Sequence, residues 1–508
     1  MRQLPQDFEP YRWAPSTAEL ARRAGLDETS IIRFDNNVPA RPHRAARPAA
    51  VAAALADANL YPAGGSPELV AAIAKAADVA PECVVLGAGA DDLILLCARA
   101  FAGPGDTVAI ADAPTYSLFR VAAGLAGAQV GSDRPALTFC CRPNNPTGGL
   151  DALPADRPLV VDEAYWEYAG QTAAGRLDDG VVVLRTFSKA YGLAGARVGY
   201  ALAAPETAAE LRDRQAPAPV STLSAALALA ALADPPDVRA EVEERERLAD
   251  RLRALGLEPL PSHGNFLFVP LDEPEGLADE LLRRGLVVRG LAGGVRITVR
   301  DPEDDDLLLA GMAEALDRPA PQNGAARRVR HLRATAETRM VVRLGLDGCG
   351  RVRVCTGAGL YDHLLEQLAF HGGLDLVLEG VGDLETGDHH TAEDAALALG
   401  EALDRALGSR RGIARYGNAV VPMDDALASA AVDLGGRPWA ELELERDPGL
   451  AGHVLGSLAQ AGRLAVHVRA RGRDDHHVAE AAFKAVGRAL RAAVAVEGNG
   501  IPSTKGRL

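Results

Sequence analysis

Between residues 66 and 186 short apolar runs alternate with helical periods. "CVVLGAG" (83–89), "DTVAIAD" (106–112), "PLVVDEA" (158–164) and "GVVVLRT" (180–186) read as buried strands. "SPELVAAIAKAA" (66–77) and "ADDLILLCARAF" (90–101) repeat their apolar positions at helical spacing. This alternation predicts an α/β fold with a mostly parallel sheet and helices on both faces. The pattern changes after residue 200. Helix-rich sequence over 205–255 leads to "GNFLFVPL" (264–271) and "GGVRITVR" (293–300), expected strands of a smaller lobe.

No hydrophobic period crosses "DRPAPQNGAAR" (317–327), which is rich in Pro, Ala, Asn and Gly. The expected organisation is a first domain at 1–317, a linker at 318–327 and a second domain at 328–508. In the second domain the element HHxAE occurs at 389–393 and again at 476–480. Each copy opens a helical run and follows strand-like sequence, "GLDLVLEGVGDL" and "LAVHVRARG". An internally duplicated α+β unit is predicted.

A chain of 508 residues, 48% of them apolar, fits two to four globular domains. The formal charge of −15 argues against a nucleic-acid or membrane-surface role, since either wants a basic face. Small anionic substrates held by local arginines remain open. Six cysteines without CxxC spacing suggest reduced thiols. The first residues lack the basic-then-apolar pattern of a signal peptide, and no apolar run reaches the ~18 residues of a membrane helix. "SAALALAALA" (224–233) is expected to be a buried helix. A cytoplasmic protein is the expectation.

Lys189 in "TFSKAYGLAGARVGY" (186–200) can form an imine with an aldehyde cofactor, with Thr186, Ser188 and Arg197 as a phosphate grip around it. "RPNNPTGG" (142–149) supplies a turn that places an Asn. "VVDEAYWEY" (160–168) puts Asp162 at the end of an apolar strand, the edge where parallel sheets bind ligands. A carboxylate there can keep a pyridine nitrogen protonated. In "LGAGADD" (86–92) glycines lead into a helix whose first N–H groups can take a phosphate.

The order of these pieces resembles the fold-type I aminotransferases that use pyridoxal 5'-phosphate, and among them the histidinol-phosphate aminotransferases, over about residues 5–317. The resemblance implies that Lys189 anchors the cofactor and shuttles the proton. Asp162 would pair with the ring nitrogen, Asn145 and Tyr165 would hold the ring hydroxyl, and Tyr116 of "APTYSLF" would stack on the ring. Ala90 and Asp91 by their backbones, with Thr186, Ser188 and Arg197, would bind the phosphate. Tyr61 would reach the cofactor of a neighbouring subunit, so a dimer is implied. Arg296 would take an anionic group of the substrate, with Arg289 and Tyr11 as further phosphate contacts. Two departures stand out: Asn145 and Asp162 are close in sequence for this family, and its Asn-Glu-Asn reads "DNN" at 35–37. Taken alone, the same motifs suit an amino-acid-phosphate decarboxylase, an aromatic aminotransferase or a non-catalytic assembly module.

Eight of the eleven histidines fall between 363 and 477. If 389 onward is helical, His389 and Glu393 share a face, while His390 points about 100° away. The same holds for His476, Glu480 and His477. Adjacent histidines then serve different ions, and two repeats suggest two metal sites that share ligands. Imidazole with carboxylate and no thiolate suits manganese, iron or zinc.

"AETRMVV", "TGAGLYDHLL", "GDHHTAED", "GIARYG", "PMDDAL", "GGRP", "DDHHVAEAAFKA" and "PSTKG" together resemble imidazoleglycerol-phosphate dehydratase over about residues 327–508. The resemblance implies two manganese ions per site, held by His363, His389, His390, Glu393, His453, His476, His477 and Glu480. Glu337 would be an acid/base, with Glu393 and Glu480 counted among the catalytic groups. Arg415, Arg437, Lys484, Ser503 and Lys505 would hold or orient substrate phosphate, and Asp424 and His371 would line the site. The family forms a shell of twenty-four subunits with its metal sites at subunit contacts. The two resemblances describe consecutive steps of histidine biosynthesis, acting on small phosphorylated imidazoles and glutamate.

Overall fold

The computed structural model describes residues 8–11, 14–26, 28–39, 54–55, 58–318, 327–498 and 500–503. The chain divides into two compact units, Met1–Pro321 and Gln322–Leu508.

The first unit is built on a seven-stranded sheet. Its strands are β2 (Val84–Gly87), β3 (Thr107–Ile110), β4 (Gln129–Val130), β5 (Leu137–Cys141), β6 (Leu159–Asp162), β7 (Val181–Thr186) and β8 (Gly199–Leu202). They lie in the order β2-β8-β7-β6-β5-β3-β4, and β8 alone runs against its neighbours. Every residue of β5, β6 and β7 is buried, which explains their unbroken apolar runs. Helices cover the sheet; one of them, α1 (Ala90–Phe101), follows β2 directly.

The smaller lobe pairs β1 (Ile32–Arg33) in parallel with β10 (Leu286–Val287). Beside them runs an antiparallel sheet of β11 (Arg289–Leu291), β12 (Gly294–Thr298) and β9 (Phe266–Pro270). Its core includes Phe34, Leu248, Leu252, Val295 and Leu308. The helix Thr222–Leu232, expected to be buried, buries Ala225, Ala228 and Ala231 but leaves Leu227, Leu229 and Leu232 half-buried. Leu229 lines a cleft that also holds Tyr61. All six cysteines are free.

The second unit is a duplication. Its first half runs β13 (Arg328–Ala334), β14 (Arg339–Gly345), β15 (Val352–Cys355), α2 (Gly359–His371), β16 (Asp375–Val381), α3 (His389–Leu407). Its second half repeats that order with β17 (Tyr416–Met423), β18 (Ala426–Asp433), β19 (Trp439–Leu444), α4 (Ala451–Ala461), β20 (Ala465–Arg471), α5 (Asp475–Val494). The sheets match as well: β13-β14-β16-β15 and β17-β18-β20-β19, with the last pair parallel in each. The helices of both halves share one core, rich in alanine and leucine.

Two glycines set the helix spacing there. A Cβ on Gly400 of α3 would stand 2.7 Å from the Leu458 carbonyl of α4, and one on Gly487 of α5 would stand 2.2 Å from the Leu368 carbonyl of α2. Each glycine lies eleven residues after the first histidine of its pair. The crossings are thus repeated, and each brings one helix from each half together. Among the described residues no helix is long and apolar enough to cross a membrane.

Candidate active sites

The site of the first unit forms where the parallel strands end. Asp162 closes β6, and Lys189 follows β7 by three residues. A cavity of about 330 Å³ opens beside them, lined among others by Tyr116, Asn145, Tyr165, Lys189 and Arg296. Tyr11 and Arg289 line it too. Arg289 and Arg296 face each other in register across β11 and β12.

Burial sets the electrostatics. It pushes the Asp162 carboxyl up to about 7, helped by Asp91, and brings the Lys189 amine down to about 8, helped by Arg296. Asp162 accepts from the Ala164 N–H (3.1 Å), and Lys189 Nζ donates to the Asn36 carbonyl (3.3 Å). Arg296 donates to Asn145 Oδ1 and to the Asp35 carbonyl, both at 2.6 Å, yet its buried Nε has no hydrogen-bond partner among the described residues. Its guanidinium is held below its ordinary range by burial. An anionic ligand would relieve that cost.

At the start of α1 the Ala90 N–H closes on the strands beside it: a Cβ on Gly199 would stand 2.8 Å from Ala90 N and 2.9 Å from the Arg185 carbonyl, one residue before Thr186. Thr186 Oγ1 donates to Ser188 Oγ at 3.0 Å, and the Ser188 N–H donates back to Thr186 Oγ1 at 3.1 Å. Arg197 packs against Gly89, where a Cβ would stand 2.7 Å from Nη2. Arg197 also donates to Asp91 Oδ2 at 3.2 Å, and Tyr116 donates to Asp91 Oδ1 at 3.0 Å. Hydroxyls, a guanidinium and a helix start thus make an anion cradle. With a buried amine and a buried carboxyl beside it, this donor set fits pyridoxal phosphate. Tyr61 stands apart from the cavity, 92% exposed.

Sequence reasoning missed Asn144. Its Nδ2 donates to the carbonyls of Asp112 (3.3 Å) and Pro114 (3.0 Å), and its Oδ1 accepts from Thr115 (2.6 Å). It therefore fixes the loop that presents Tyr116. The doubled Asn of "NNPTGG" was the available signal.

In the second unit two donor clusters straddle the repeats. His389 and Glu393 on α3 meet His453 on α4; His476 and Glu480 on α5 meet His363 on α2. Within each cluster the donor atoms all lie within 4.8 Å of one another. Glu393 is 3.7 Å from His389 and 3.4 Å from His453. Glu480 is 3.2 Å from His476, 3.5 Å from His363 and 2.8 Å from Lys484. Donors are imidazole and carboxylate without thiolate, which fits a divalent ion of the manganese, iron or zinc kind.

The second histidine of each pair turns elsewhere. His390 Nδ1 lies 3.0 Å from Asp383 and 3.6 Å from Glu337, and His477 Nδ1 lies 2.5 Å from Asp425, with Asp424 3.6 Å from its other nitrogen. Hydrogen bonds to Asp383 and to Asp425 raise the two imidazoles above the ordinary histidine value. His371 is lowered by burial, then by Lys484 and Arg488. Arg415 is paired with Asp433 at 2.7 Å and donates to the Pro502 carbonyl at 2.9 Å, which brings the segment holding Ser503 to it. Arg437 and Asp424 are exposed, and Lys505 lies outside the described residues.

Comparisons with known proteins match the two units separately. The class I and II aminotransferase family model matches residues 29–134 and 131–311, and the imidazoleglycerol-phosphate dehydratase model matches 356–490. The first unit resembles the pyridoxal-5'-phosphate complex of histidinol-phosphate aminotransferase from Sinorhizobium meliloti, at 26% identity and a TM-score of 0.53, over 60% of this chain and 95% of that one. L-threonine-O-3-phosphate decarboxylase from Porphyromonas gingivalis shares the fold, at 21% identity and a TM-score of 0.51, over 57% of this chain and 100% of that one. The second unit is 53% identical to the imidazoleglycerol-phosphate dehydratase of Methanothermobacter thermautotrophicus over 190 residues, 36% of this chain and 98% of that protein. The chain belongs to the class I and II aminotransferase family through its first unit and to the imidazoleglycerol-phosphate dehydratase family through its second. It is a bifunctional enzyme of histidine biosynthesis, a transaminase joined to a hydro-lyase.

Proposed function

We propose that the second unit dehydrates imidazole glycerol phosphate to imidazole acetol phosphate with two manganese ions per site. The first unit then transaminates that ketone with glutamate to histidinol phosphate. The observation that carries this reading is the presence, in one chain, of both families whose reactions follow one another. Fusion keeps each site at high local concentration near the other.

In the first unit Lys189, Asp162, Asn145, Tyr165 and Tyr116 would hold the cofactor, with Tyr61 contributed to a partner's site in a dimer. Ala90, Asp91, Thr186, Ser188 and Arg197 would take its phosphate. Bound there, pyridoxal phosphate supplies an electron-accepting ring that stabilises charge on the carbon beside the nitrogen. Lys189, with an amine near 8, has free base available at neutral pH to take and return the substrate proton. Asp162 pairs with the ring nitrogen; a cation there would restore its carboxylate. Arg296 holds the substrate carboxylate, while Arg289 and Tyr11 hold the phosphate.

In the second unit the two histidine–glutamate clusters would hold the ions, and His390 and His477 would complete the sites of neighbouring copies. Bound manganese supplies Lewis acidity that favours the deprotonated imidazole ring of the substrate. Glu337, beside His390, would move the carbon-side protons. Lys484, Arg415, Arg437, Ser503 and Lys505 would hold or orient phosphate, with Asp424 and His371 lining the site. Acting on soluble metabolites, the enzyme would work in the cytoplasm as a homo-oligomer.

The test is a one-pot assay with manganese, pyridoxal phosphate, glutamate and imidazole glycerol phosphate. Histidinol phosphate and 2-oxoglutarate are the expected products. Accumulation of imidazole acetol phosphate would reject the aminotransferase substrate, and release of carbon dioxide would point to a decarboxylase. Light scattering that finds a monomer in the presence of manganese would reject the assembly.

A further inference from the structure

The "DNN" turn carries a contact that none of the roles above uses. Asn37 is 1% exposed and sits at φ +50°, a left-handed conformation that Asn tolerates better than most residues. Its Nδ2 donates to the Tyr165 hydroxyl oxygen at 3.1 Å. Its other polar groups are tied to the small lobe. The Thr298 hydroxyl donates to Asn37 Oδ1 at 3.1 Å and accepts from the Asn37 N–H at 2.9 Å. The Asn37 carbonyl accepts from Asn265 Nδ2 at 3.3 Å. Thr298 and Arg296 lie two apart on β12, hence on one face of the strand.

This arrangement constrains the direction of one proton. A phenol has one O–H donor and two acceptor lone pairs. Asn37 donates to the Tyr165 oxygen, and Asn145 Nδ2 approaches it from another side at 3.4 Å. With amide N–H groups on the oxygen, the remaining option for the hydroxyl hydrogen is to point away from both, into the cavity. We infer that Asn37 is a positioning residue: it aims the Tyr165 hydroxyl at the cofactor's ring oxygen, and Thr298 holds Asn37 in place from the strand that carries Arg296. The inference rests on pyridoxal phosphate occupying this cavity.

The spectrum of the bound cofactor tests it. A donor on the anionic ring oxygen favours the deprotonated chromophore, so a misaimed hydroxyl raises the pH midpoint of its absorbance change. The full chain is loaded with pyridoxal phosphate and titrated as wild type, Asn37→Ala, Thr298→Val, Tyr165→Phe and the Asn37→Ala/Tyr165→Phe double variant. Arg296, Asp162, Cys141, Lys189 and Tyr168, the other titratable groups facing Tyr165, are unchanged in all of them. The expected result is a midpoint raised by about half a unit to one unit in Asn37→Ala, and by less in Thr298→Val. In the Tyr165→Phe background the Asn37 substitution should add nothing, because its effect passes through the phenol. The kcat should fall while the KM for glutamate changes little. An unmoved midpoint in both single variants, or the same Asn37→Ala shift with and without the phenol, overturns the inference. Should Asn37→Ala fail to fold, the Thr298→Val titration decides alone. A wild-type chain that yields no Lys189-bound chromophore overturns the cofactor reading itself, and this inference with it.

Discussion

The two sites are built by opposite means. In the first unit a single cavity gathers residues from distant segments, and the polar groups at its base are taken out of water. Asp162 and Lys189 are shifted chiefly by burial. In the second unit the donors sit near helix starts, the histidines exposed or half-exposed and Glu480 buried, and His390 and His477 are shifted by a facing carboxylate. The buried site stores its reactivity in desolvation and needs a ligand to neutralise it. The exposed site stores an arrangement of donors that, under the proposed function, ions and neighbouring copies would enclose. Damage to the first should therefore show in chemistry and in pH-dependent stability; damage to the second should show in metal affinity and assembly.

The sharpest way to separate the two is Lys189→Ala. Transamination should fall by roughly a thousandfold or more, as expected when a covalent and proton-transfer group is lost. Dehydration by the same preparation should stay within a factor of about two. Equal loss of both activities would mean that the units are not independent. Next in size is His453→Ala. It removes one donor from the cluster with His389 and Glu393, and manganese affinity should drop by at least about tenfold to a hundredfold. Calorimetry measures that directly, and the pyridoxal absorbance should be unaltered.

A third experiment uses the cofactor-free protein. The Asp162 carboxyl is raised by folding, so its contribution to stability is fully present below about pH 4. It is lost as the pH climbs through about 7. Asp162→Asn should therefore melt higher than wild type at pH 8, by up to about 4 kcal/mol in stability, with the difference gone near pH 4. Equal melting curves at pH 8 would mean that the carboxyl is better solvated than its position implies. Smallest is Gly400→Ala. Its Cβ would press the Leu458 carbonyl and lower the stability of the second unit by about 1–3 kcal/mol. The first unit's melting transition should not move.

Much of this was legible in the sequence, for a local reason. Strands buried on both faces must be continuous apolar runs, so "PLVVDEA" and "GVVVLRT" announced the strands whose ends carry Asp162 and lead to Lys189. The second HHxAE announced the duplication because a repeat is visible without knowing the fold. Contacts across the fold had no such signature. Asn37 meets Tyr165 across 128 residues and Thr298 across 261. Nothing in "DNN" encodes either partner. Nor could the repeat reveal that His453 joins His389 while His363 joins His476, because the crossing of the helices decides it. The helix of 222–232 is less buried than its apolar sequence suggests, because only the face of Ala225, Ala228 and Ala231 is covered.

That crossing of helices carries a history. Each donor cluster takes two ligands from one half and one from the other, in mirrored fashion. A protein of a single half would hold neither cluster alone, yet two such molecules docked about a twofold axis would hold both. The duplicated unit makes that pairing a fixed property of one polypeptide. Because the halves need not be identical, the groups around His390 and His477 differ, Asp383 with Glu337 on one side and Asp425 with Asp424 on the other.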